Sequence, residues 1–146
     1  MKDFQIRACT DDDCKYVFEL LKQLWPDIQL DYETIYPVFC KAIKSDNQKL
    51  IVGLSNNKVV GFCTLTIKNS LWQGGNLGYI DELIVDENHR GLGIGHKLID
   101  EITTIAKNNH CKIIELDSAF HRKEAHLFYE NLKYESRAYL FSKRIN

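Results

Sequence analysis

The sequence predicts a mixed α/β fold, with helices layered around a single β-sheet. Short apolar stretches with strand character alternate with amphipathic stretches whose apolar residues recur at helical spacing. The chain has 146 residues, the length of one domain with a full hydrophobic core, and we expect residues 1–146 to form one domain. The predicted order of elements is β-α-α-β-β-β-α-β-α-β.

The first half of the chain supplies three strands and two helices. They are the strand Phe4–Ala8, a helix that starts at Thr10 and ends at Pro26, a helix from about Tyr32 to Ile43, and the strands Leu50–Leu54 and Val59–Ile67. Thr10 is a favourable helix cap, and the three aspartates after it suit the positive end of a helix dipole. Asn56-Asn57 is a hairpin turn signal between the two later strands.

The second half supplies three strands and two helices, after a loop from Asn69 to Asn76. They are the strand Gly78–Val85, a helix from Ile94 to Ala106, the strand Cys111–Leu116, a helix from His121 to Leu132, and a closing strand from Tyr134 to Lys143. Both helices have apolar residues at helical spacing, such as Leu98 and Ile102 in the first.

The composition excludes several functional classes. A formal net charge of -1 provides no basic field for nucleic acid or anionic lipid. No apolar run approaches the roughly 20 residues of a membrane span, and the first residues lack a signal-peptide core, so we expect a cytoplasmic protein. The five cysteines form no C-x-x-C pair and no zinc-like spacing with histidine. We therefore expect reduced, buried thiols and no metal.

The run Arg90-Gly91-Leu92-Gly93-Ile94-Gly95 lies between a predicted strand and a predicted helix. Glycines let the backbone turn sharply and approach a ligand, and the first amides of a helix have no internal partner. The spacing fits neither the dinucleotide fingerprint G-x-G-x-x-G nor a P-loop. The run therefore predicts a site for an anion, best matched by a phosphate. Arg90 either adds a charge beside that phosphate or only braces the loop.

Three segments resemble the GNAT superfamily of acyl-CoA N-acyltransferases. Tyr79–Val85 resembles its central strand, Arg90–Gly95 its pyrophosphate loop, and Ala125–Glu130 the late helix that supplies a tyrosine. The order of elements fits the family over nearly the whole chain, and the C-terminal third is most similar to small bacterial members that act on aminoalkylphosphonates or aminoglycosides. It implies a central mixed, mostly antiparallel sheet flanked by helices. Two positions depart from the family: Lys133 stands where glycine is usual, and Glu87 stands where proline is common.

The resemblance also implies acetyl-CoA as the acetyl donor. Its diphosphate would lie on the loop amides, and its pantetheine arm would run along an exposed strand edge at Leu83 to Val85. The expected donor contacts are Leu83, Ile84, Val85, Arg90, Gly91, Leu92, Gly93, Ile94, Gly95, His96 and Tyr129. A homodimer is compatible with the resemblance, since dimers are frequent in the family.

Acetyl transfer to an amine requires a base, because a lysine-like amine with a pKa of about 10.4 is mostly charged at neutral pH. Asp81 and Glu82 are the candidates, and strand alternation places them on opposite faces of the sheet. The resemblance favours Asp81 and leaves Glu82 as the alternative. It also makes Tyr129 the expected acid that protonates the leaving thiolate.

The acceptor is expected to be a small, cationic primary amine. Between Asp11 and Glu33 the chain has seven acidic residues against two lysines, and an acidic rim attracts cations. Trp25, Tyr32 and Asp81 are the expected acceptor contacts. An aminoglycoside, a polyamine and an aminoalkylphosphonate all remain open, and the last would need basic groups such as Arg122, Lys123 or Arg137. The alternatives are a non-catalytic acyl-CoA-binding regulatory module and a protein N-acetyltransferase.

Overall fold

A five-stranded β-sheet is the centre of the structure, a computed structural model that describes residues 3–146. The strands, which lie side by side in chain order, are β1 (Phe4–Ala8), β2 (Gln48–Ser55), β3 (Lys58–Ser70), β4 (Gly75–Val85) and β5 (Cys111–Leu116). The first four strands pair antiparallel, and the connection from β4 to β5 passes through a helix. The mixed, mostly antiparallel sheet that the resemblance implied is thus confirmed.

Four α-helices accompany the sheet within the described residues: α1 (Cys14–Leu24), α2 (Tyr32–Lys44), α3 (Ile94–Asn108) and α4 (Lys123–Asn131). None of them is long and apolar enough to cross a membrane. The chain divides into a larger compact unit that ends at Glu115 and a smaller unit, Leu116–Asn146. The expectation of a single domain therefore stays a prediction.

The two faces of the sheet pack against different helices. On one face, Phe62 of β3 lies in a buried cluster with residues of α1 and α2, and its ring centroid is 6.2 Å from that of Phe39. On the other face, a Cβ at Gly61 would lie 2.9 Å from the Leu98 side chain of α3. Glycine at position 61 thus lets α3 approach β3 closely. Because residues 61 and 62 point to opposite faces of the sheet, α3 lies on one face and α1 and α2 lie on the other.

The start of α1 differs from the expectation. Asp11–Asp13 form a short 3-10 turn, and α1 itself begins at Cys14. Asp13 is buried and accepts hydrogen bonds from the Arg7 guanidinium at 2.7 and 2.9 Å and from the Thr10 amide at 2.7 Å. Burial raises the pKa of Asp13, but the bonds from Arg7 and Thr10 outweigh it and lower the pKa overall. This carboxylate therefore serves the fold.

Three other predictions need correction. The loop predicted over Asn69–Asn76 is only a tight turn, because Asn69 pairs with Asn76 and Ser70 with Gly75 to lengthen both strands. The helix expected from His121 begins at Lys123. The closing strand predicted over Tyr134–Lys143 is not formed, and residues 134–146 belong to no helix or strand. Alternation gives a segment the character of a strand, but a strand exists only when it is paired.

Candidate active site

The turn between β4 and α3 has the geometry expected of an anion site. Gly91 and Gly93 have φ angles of +76° and +82°, and Gly93 is the N-cap of α3. A Cβ built on either glycine would meet no atom within 4 Å, so the backbone borders open space. The first amides of α3 lack helix partners and carry the positive end of the dipole. The residues present therefore fit the diphosphate of a coenzyme A donor.

The predicted donor contacts divide by exposure. Arg90, Gly91, Leu92, Gly93 and His96 are exposed, Leu83, Val85 and Gly95 are half-buried, and Ile84 and Ile94 are buried. The buried isoleucines fill the core on opposite faces of the sheet, since Ile84 lies in the cluster with α1 and α2 whereas Ile94 packs at Gly61. A donor on this turn would therefore meet the side chains of the exposed residues and only the backbone of Ile84 and Ile94.

Two side chains hold the start of the turn. Arg90 Nε donates a hydrogen bond to the carbonyl of Val85 at 3.1 Å, so the bracing role of Arg90 is observed, and a contact with phosphate stays a prediction. Asp86 accepts a hydrogen bond from Gln23 Nε2 at 2.9 Å, and Gln23 Oε1 accepts one from the amide of Glu87 at 2.9 Å. Hydrogen bonds from Gln23 and then from His89 lower the pKa of Asp86. A single glutamine of α1 thus connects that helix to the turn.

The central strand is irregular at the two candidate bases. Leu65 of β3 pairs with Ile80, and Cys63 pairs with Leu83, so a single β3 residue lies opposite both Asp81 and Glu82. This is the two-against-one arrangement of a β-bulge, which bends a strand and redirects its side chains. The bulge itself could not be predicted from the sequence, because the extra residue is recognised only from the pairing with β3.

The bulge brings the two carboxylates onto one face of the sheet. Thr66 Oγ1 donates to Asp81 Oδ2 at 2.5 Å, and Thr64 Oγ1 donates to Glu82 Oε1 at 2.8 Å. The two threonines are two positions apart on β3, so their side chains share a face. The prediction that Asp81 and Glu82 lie on opposite faces is therefore wrong. Two hydroxyls at alternate positions of an apolar strand were the available signal for this pairing.

This face is the one that α1 and α2 cover, because Phe62 precedes Thr64 by two positions and lies in their core cluster. The two carboxylates differ in burial: Asp81 is exposed, whereas Glu82 is half-buried and also donates its amide to Thr64 Oγ1 at 3.0 Å. Burial, and after it the charge of Glu82, raises the pKa of the neighbouring Cys63 thiol. A neutral, buried Cys63 is a core residue, as expected, whereas Cys40 and Cys111 are only half-buried.

The expectation that Leu83–Val85 lie on an exposed edge strand, where the pantetheine arm would bind, needs a correction. β4 is not an edge strand, because it lies between β3 and β5. However, β4 has 11 residues and β5 has 6, so β5 covers only part of it. Asn76 at the start of β4 donates to the carbonyl of Asn109, just before β5, at 2.9 Å. It stays a prediction that a pantetheine arm binds to the backbone of Leu83–Val85.

The expected acceptor aromatics are half-buried. Trp25 and Tyr32 pack against the core cluster of α1 and α2. The Tyr32 ring lies edge-on to Phe18 at 5.4 Å and stacks on Tyr36 at 5.7 Å. A hydrogen bond with Cys40 is the main cause that raises the pKa of Tyr36 to about 12, which keeps this phenol neutral. Contact of Trp25 or Tyr32 with an acceptor stays a prediction.

Part of the expected acidic rim has a structural role. Asp13 pairs with Arg7, Asp31 accepts a hydrogen bond from Thr34 Oγ1 at 2.6 Å at the start of α2, and Glu19 lies 2.9 Å from Lys22. Three of the seven acidic residues therefore have partners within the protein, and these contacts account for their charge without an acceptor. The attraction of a cation then depends more on Asp81 and Glu82 than the sequence indicated.

Tyr129 lies in the smaller unit, on α4. It is half-buried, and its ring centroid is 5.3 Å from that of Phe128 and 5.8 Å from that of Tyr134. Its carbonyl accepts the amide of Tyr134 at 3.0 Å, which helps to end the helix. The role of Tyr129 as the acid stays a prediction.

Comparison with known proteins identifies the family. Residues 14–134 match the family described as Acetyltransferase (GNAT) family, a match that covers most of the chain and continues through both units. The chain belongs to this family and is an acetyl-CoA-dependent N-acetyltransferase. The resemblance inferred from three short segments is thereby confirmed.

Individual relatives agree with the assignment. Aminoalkylphosphonate N-acetyltransferase from Salmonella typhimurium is 28% identical over 141 residues, which cover 97% of this chain and 91% of that protein. Glucosamine 6-phosphate N-acetyltransferase from Trypanosoma brucei brucei is 31% identical over 80 residues, or 54% of this chain and 52% of that protein. A solved structure described as a transcriptional regulator from Bacillus halodurans C-125 has a TM-score of 0.86 and 26% identity, and the match covers 97% of this chain and 99% of that one.

Proposed function

We propose that this enzyme acetylates the primary amine of a small acceptor at the sheet face that carries Asp81 and Glu82. The bulge is the observation that supports this proposal most strongly, because it presents two carboxylates on one face of β4. The same strand runs from this pair into the glycine turn. The carboxylates of β4 can thus bind an ammonium ion, and the amides of the turn that follows β4 can bind a phosphate.

The donor would be acetyl-CoA, with its diphosphate on the amides of Arg90–Gly95. The positive φ angles of Gly91 and Gly93, together with the open space beside them, support this placement. The bonds from Gln23 to Asp86 and Glu87 fix the start of the turn before any ligand arrives. A preorganised turn loses less conformational entropy on binding than a mobile one.

The chemistry would be direct transfer between the two substrates. Asp81, the more exposed carboxylate, would hold the ammonium group and take its proton, directly or through water, and Glu82 is the alternative base. The neutral amine nitrogen then bonds to the thioester carbonyl carbon as the carbon–sulfur bond breaks. The nitrogen loses its second proton to water, which in turn restores the proton that Tyr129 gives up. Tyr129 would give its proton to the departing thiolate, whose conjugate acid has a pKa of about 8.5.

The acceptor would carry a phosphonate or phosphate as well as the amine. The names of two relatives specify an aminoalkylphosphonate and glucosamine 6-phosphate, which share these two groups. Such an oxyanion needs cationic partners, and Arg122, Lys123 and Arg137 of the smaller unit are the predicted ones. An aminoglycoside or a polyamine would need only the carboxylates.

A panel of amines tests this proposal through release of the CoA thiol. We expect release with a 1-aminoalkylphosphonate or glucosamine 6-phosphate, and at least ~10-fold lower kcat/KM with glucosamine, the matched amine without phosphate. Equal turnover of glucosamine would overturn the phospho-acceptor proposal. Binding of CoA without thiol release from any amine would favour the non-catalytic acyl-CoA-binding module, which would agree with the description of the Bacillus halodurans structure as a regulator.

The two carboxylates can be distinguished by matched substitutions that keep their size. Asp81→Asn should lower kcat/KM by ~100-fold or more and move the remaining activity to higher pH, where more of the amine is already neutral. Glu82→Gln keeps an oxygen that can accept from Thr64 and should have the smaller effect. If Asp81→Asn retains wild-type activity while Glu82→Gln is inactive, the roles are reversed.

A further inference from the structure

Thr64 of β3 is a buried polar residue in an apolar part of the sheet. It is 6% exposed and lies within a run of six consecutive buried residues, 60–65. A hydroxyl in such a place costs free energy unless it is hydrogen-bonded, and a β-branched apolar residue such as valine would fill the same volume. Packing alone therefore does not account for the hydroxyl of Thr64.

The bulge gives this hydroxyl two partners on one residue. The register of β3 and β4 leaves Thr64 opposite both Asp81 and Glu82. The extra residue of a bulge leaves the regular ladder of backbone hydrogen bonds, so an amide there needs another acceptor. Thr64 Oγ1 accepts the amide of Glu82 at 3.0 Å and donates its proton to Glu82 Oε1 at 2.8 Å. One hydroxyl thus holds both the backbone and the carboxylate of Glu82.

Thr66 makes a simpler contact closer to the surface. It is half-buried, and its Oγ1 donates to Asp81 Oδ2 at 2.5 Å. Thr66 lies outside the bulge, because it pairs in regular register with Tyr79. It therefore restrains the side chain of Asp81, whereas Thr64 holds the bulge that turns both carboxylates to the same face of the sheet.

We propose that Thr64 and Thr66 are positioning residues of acetyl transfer, which hold the two carboxylates where the acceptor amine meets them. The inference rests on the proposed function of this sheet face. A base must lie within hydrogen-bond reach of the proton that it removes, and a misplacement of about 1 Å can lower the rate by ~100-fold. Neither threonine needs to touch the acceptor, because each acts through a carboxylate.

Steady-state kinetics of valine variants test the proposal, with the amine of highest kcat/KM in the panel as the acceptor. Valine keeps the branched shape of threonine and removes the hydroxyl. Thr64→Val should lower kcat/KM for the amine by at least ~10-fold, because it removes two hydrogen bonds to Glu82, one of them to the carboxylate. Thr66→Val should lower it by ~3–10-fold, since water replaces a hydroxyl more readily near the surface.

Two further variants and a binding measurement distinguish positioning from a merely structural role. Thr64→Ser restores the hydroxyl and should keep kcat/KM within ~3-fold of wild type. Thr103→Val is the matched control, because the Thr103 hydroxyl donates to the carbonyl of Ile99 within α3, at 2.7 Å, and its loss should leave every constant unchanged. Isothermal titration with CoA should give wild-type affinity in both valine variants of β3. Its stoichiometry measures the folded fraction, to which kcat is referred.

The outcomes separate this inference from the proposed function. Wild-type kcat/KM in both valine variants, with reduced activity in Asp81→Asn or Glu82→Gln, would overturn the positioning role alone. A loss in Thr64→Val that Thr64→Ser does not restore, or an equal loss of CoA affinity, would overturn it as well. Thr66→Val decides the question if Thr64→Val does not fold. Wild-type activity in both Asp81→Asn and Glu82→Gln would instead overturn the proposed function of this face, and the positioning role with it.

Discussion

The turn before α3 and the turns after α3 and α4 use the same backbone region with different residues. Gly91 and Gly93 before α3 have φ angles of +76° and +82°. After α3 and α4, the equivalent left-handed positions hold His110 and Lys133, at +60° and +72°. The chain therefore tolerates ordinary side chains in this conformation at two helix ends and has glycines in it at the start of α3.

This comparison bears on whether the fold or a ligand favours glycine at the two positions before α3. A left-handed residue with a side chain costs about 1–2 kcal/mol, and the bonds that close a helix end offset this. At Gly91 and Gly93 the fold itself has room for a Cβ, since no atom lies within 4 Å of either position. The left-handed backbone by itself favours glycine at both positions, and the proposed close approach of a diphosphate to bare amides would favour it further.

The largest expected effect comes from adding side chains to the turn before α3. The double substitution Gly91→Ala with Gly93→Ala should weaken CoA binding by at least ~10-fold, because hydrogen bonds to a charged group contribute about 1.5–3 kcal/mol each. Isothermal titration with CoA measures this. His110→Ala is the control, since it changes a left-handed residue after the helix, and it should leave the affinity unchanged. Wild-type affinity in the double variant would contradict the assignment of these glycines to a ligand.

A smaller effect is expected from releasing the start of the turn. Gln23→Ala removes the bonds to Asp86 and Glu87, so the turn must be ordered when the donor binds. The KM for acetyl-CoA should rise by ~3–10-fold while kcat changes little, because the loss acts on binding. Lys22→Ala, on the next residue of α1, should leave both constants unchanged. An unaltered KM in Gln23→Ala would show that the turn holds its shape without α1.

The smallest effect belongs to the turn after α4. Lys133 occupies a left-handed position that glycine usually takes at the end of a helix, so Lys133→Gly relieves backbone strain. We expect a gain of about 0.5–1 kcal/mol in the free energy of unfolding, reduced by the larger entropy of glycine in the unfolded chain. Chemical denaturation measures this gain. A loss of stability would show that the lysine side chain contributes more than the strain costs.

The sequence predicted those features that depend on neighbouring residues. Hydrophobic periodicity located β1 and β5 at their observed bounds, and the Asn56-Asn57 turn has the positive φ angles of a hairpin, +52° and +64°. The glycine run likewise indicated its turn directly. Each of these signals is contained within a few positions of the chain.

Features that depend on distant pairing could not be predicted in this way. Alternation assigned Asp81 and Glu82 to opposite faces, but the register between β3 and β4 inserts a bulge at that point. Alternation also predicted a closing strand over Tyr134–Lys143. A strand needs a paired neighbour, and residues 134–146 belong to no strand. The ion pair between Asp13 and Arg7 could not be predicted either. The local pattern of three aspartates indicates only the start of a helix.

Amide chemical shifts during a titration with coenzyme A test the central claim most directly, because they report on each backbone N–H separately. We predict that the amides of Gly91, Gly93 and Gly95 shift most and saturate together, whereas those of His110 and Lys133 stay unchanged. Binding that leaves the three glycine amides in place, with the large shifts elsewhere in the chain, would contradict the account.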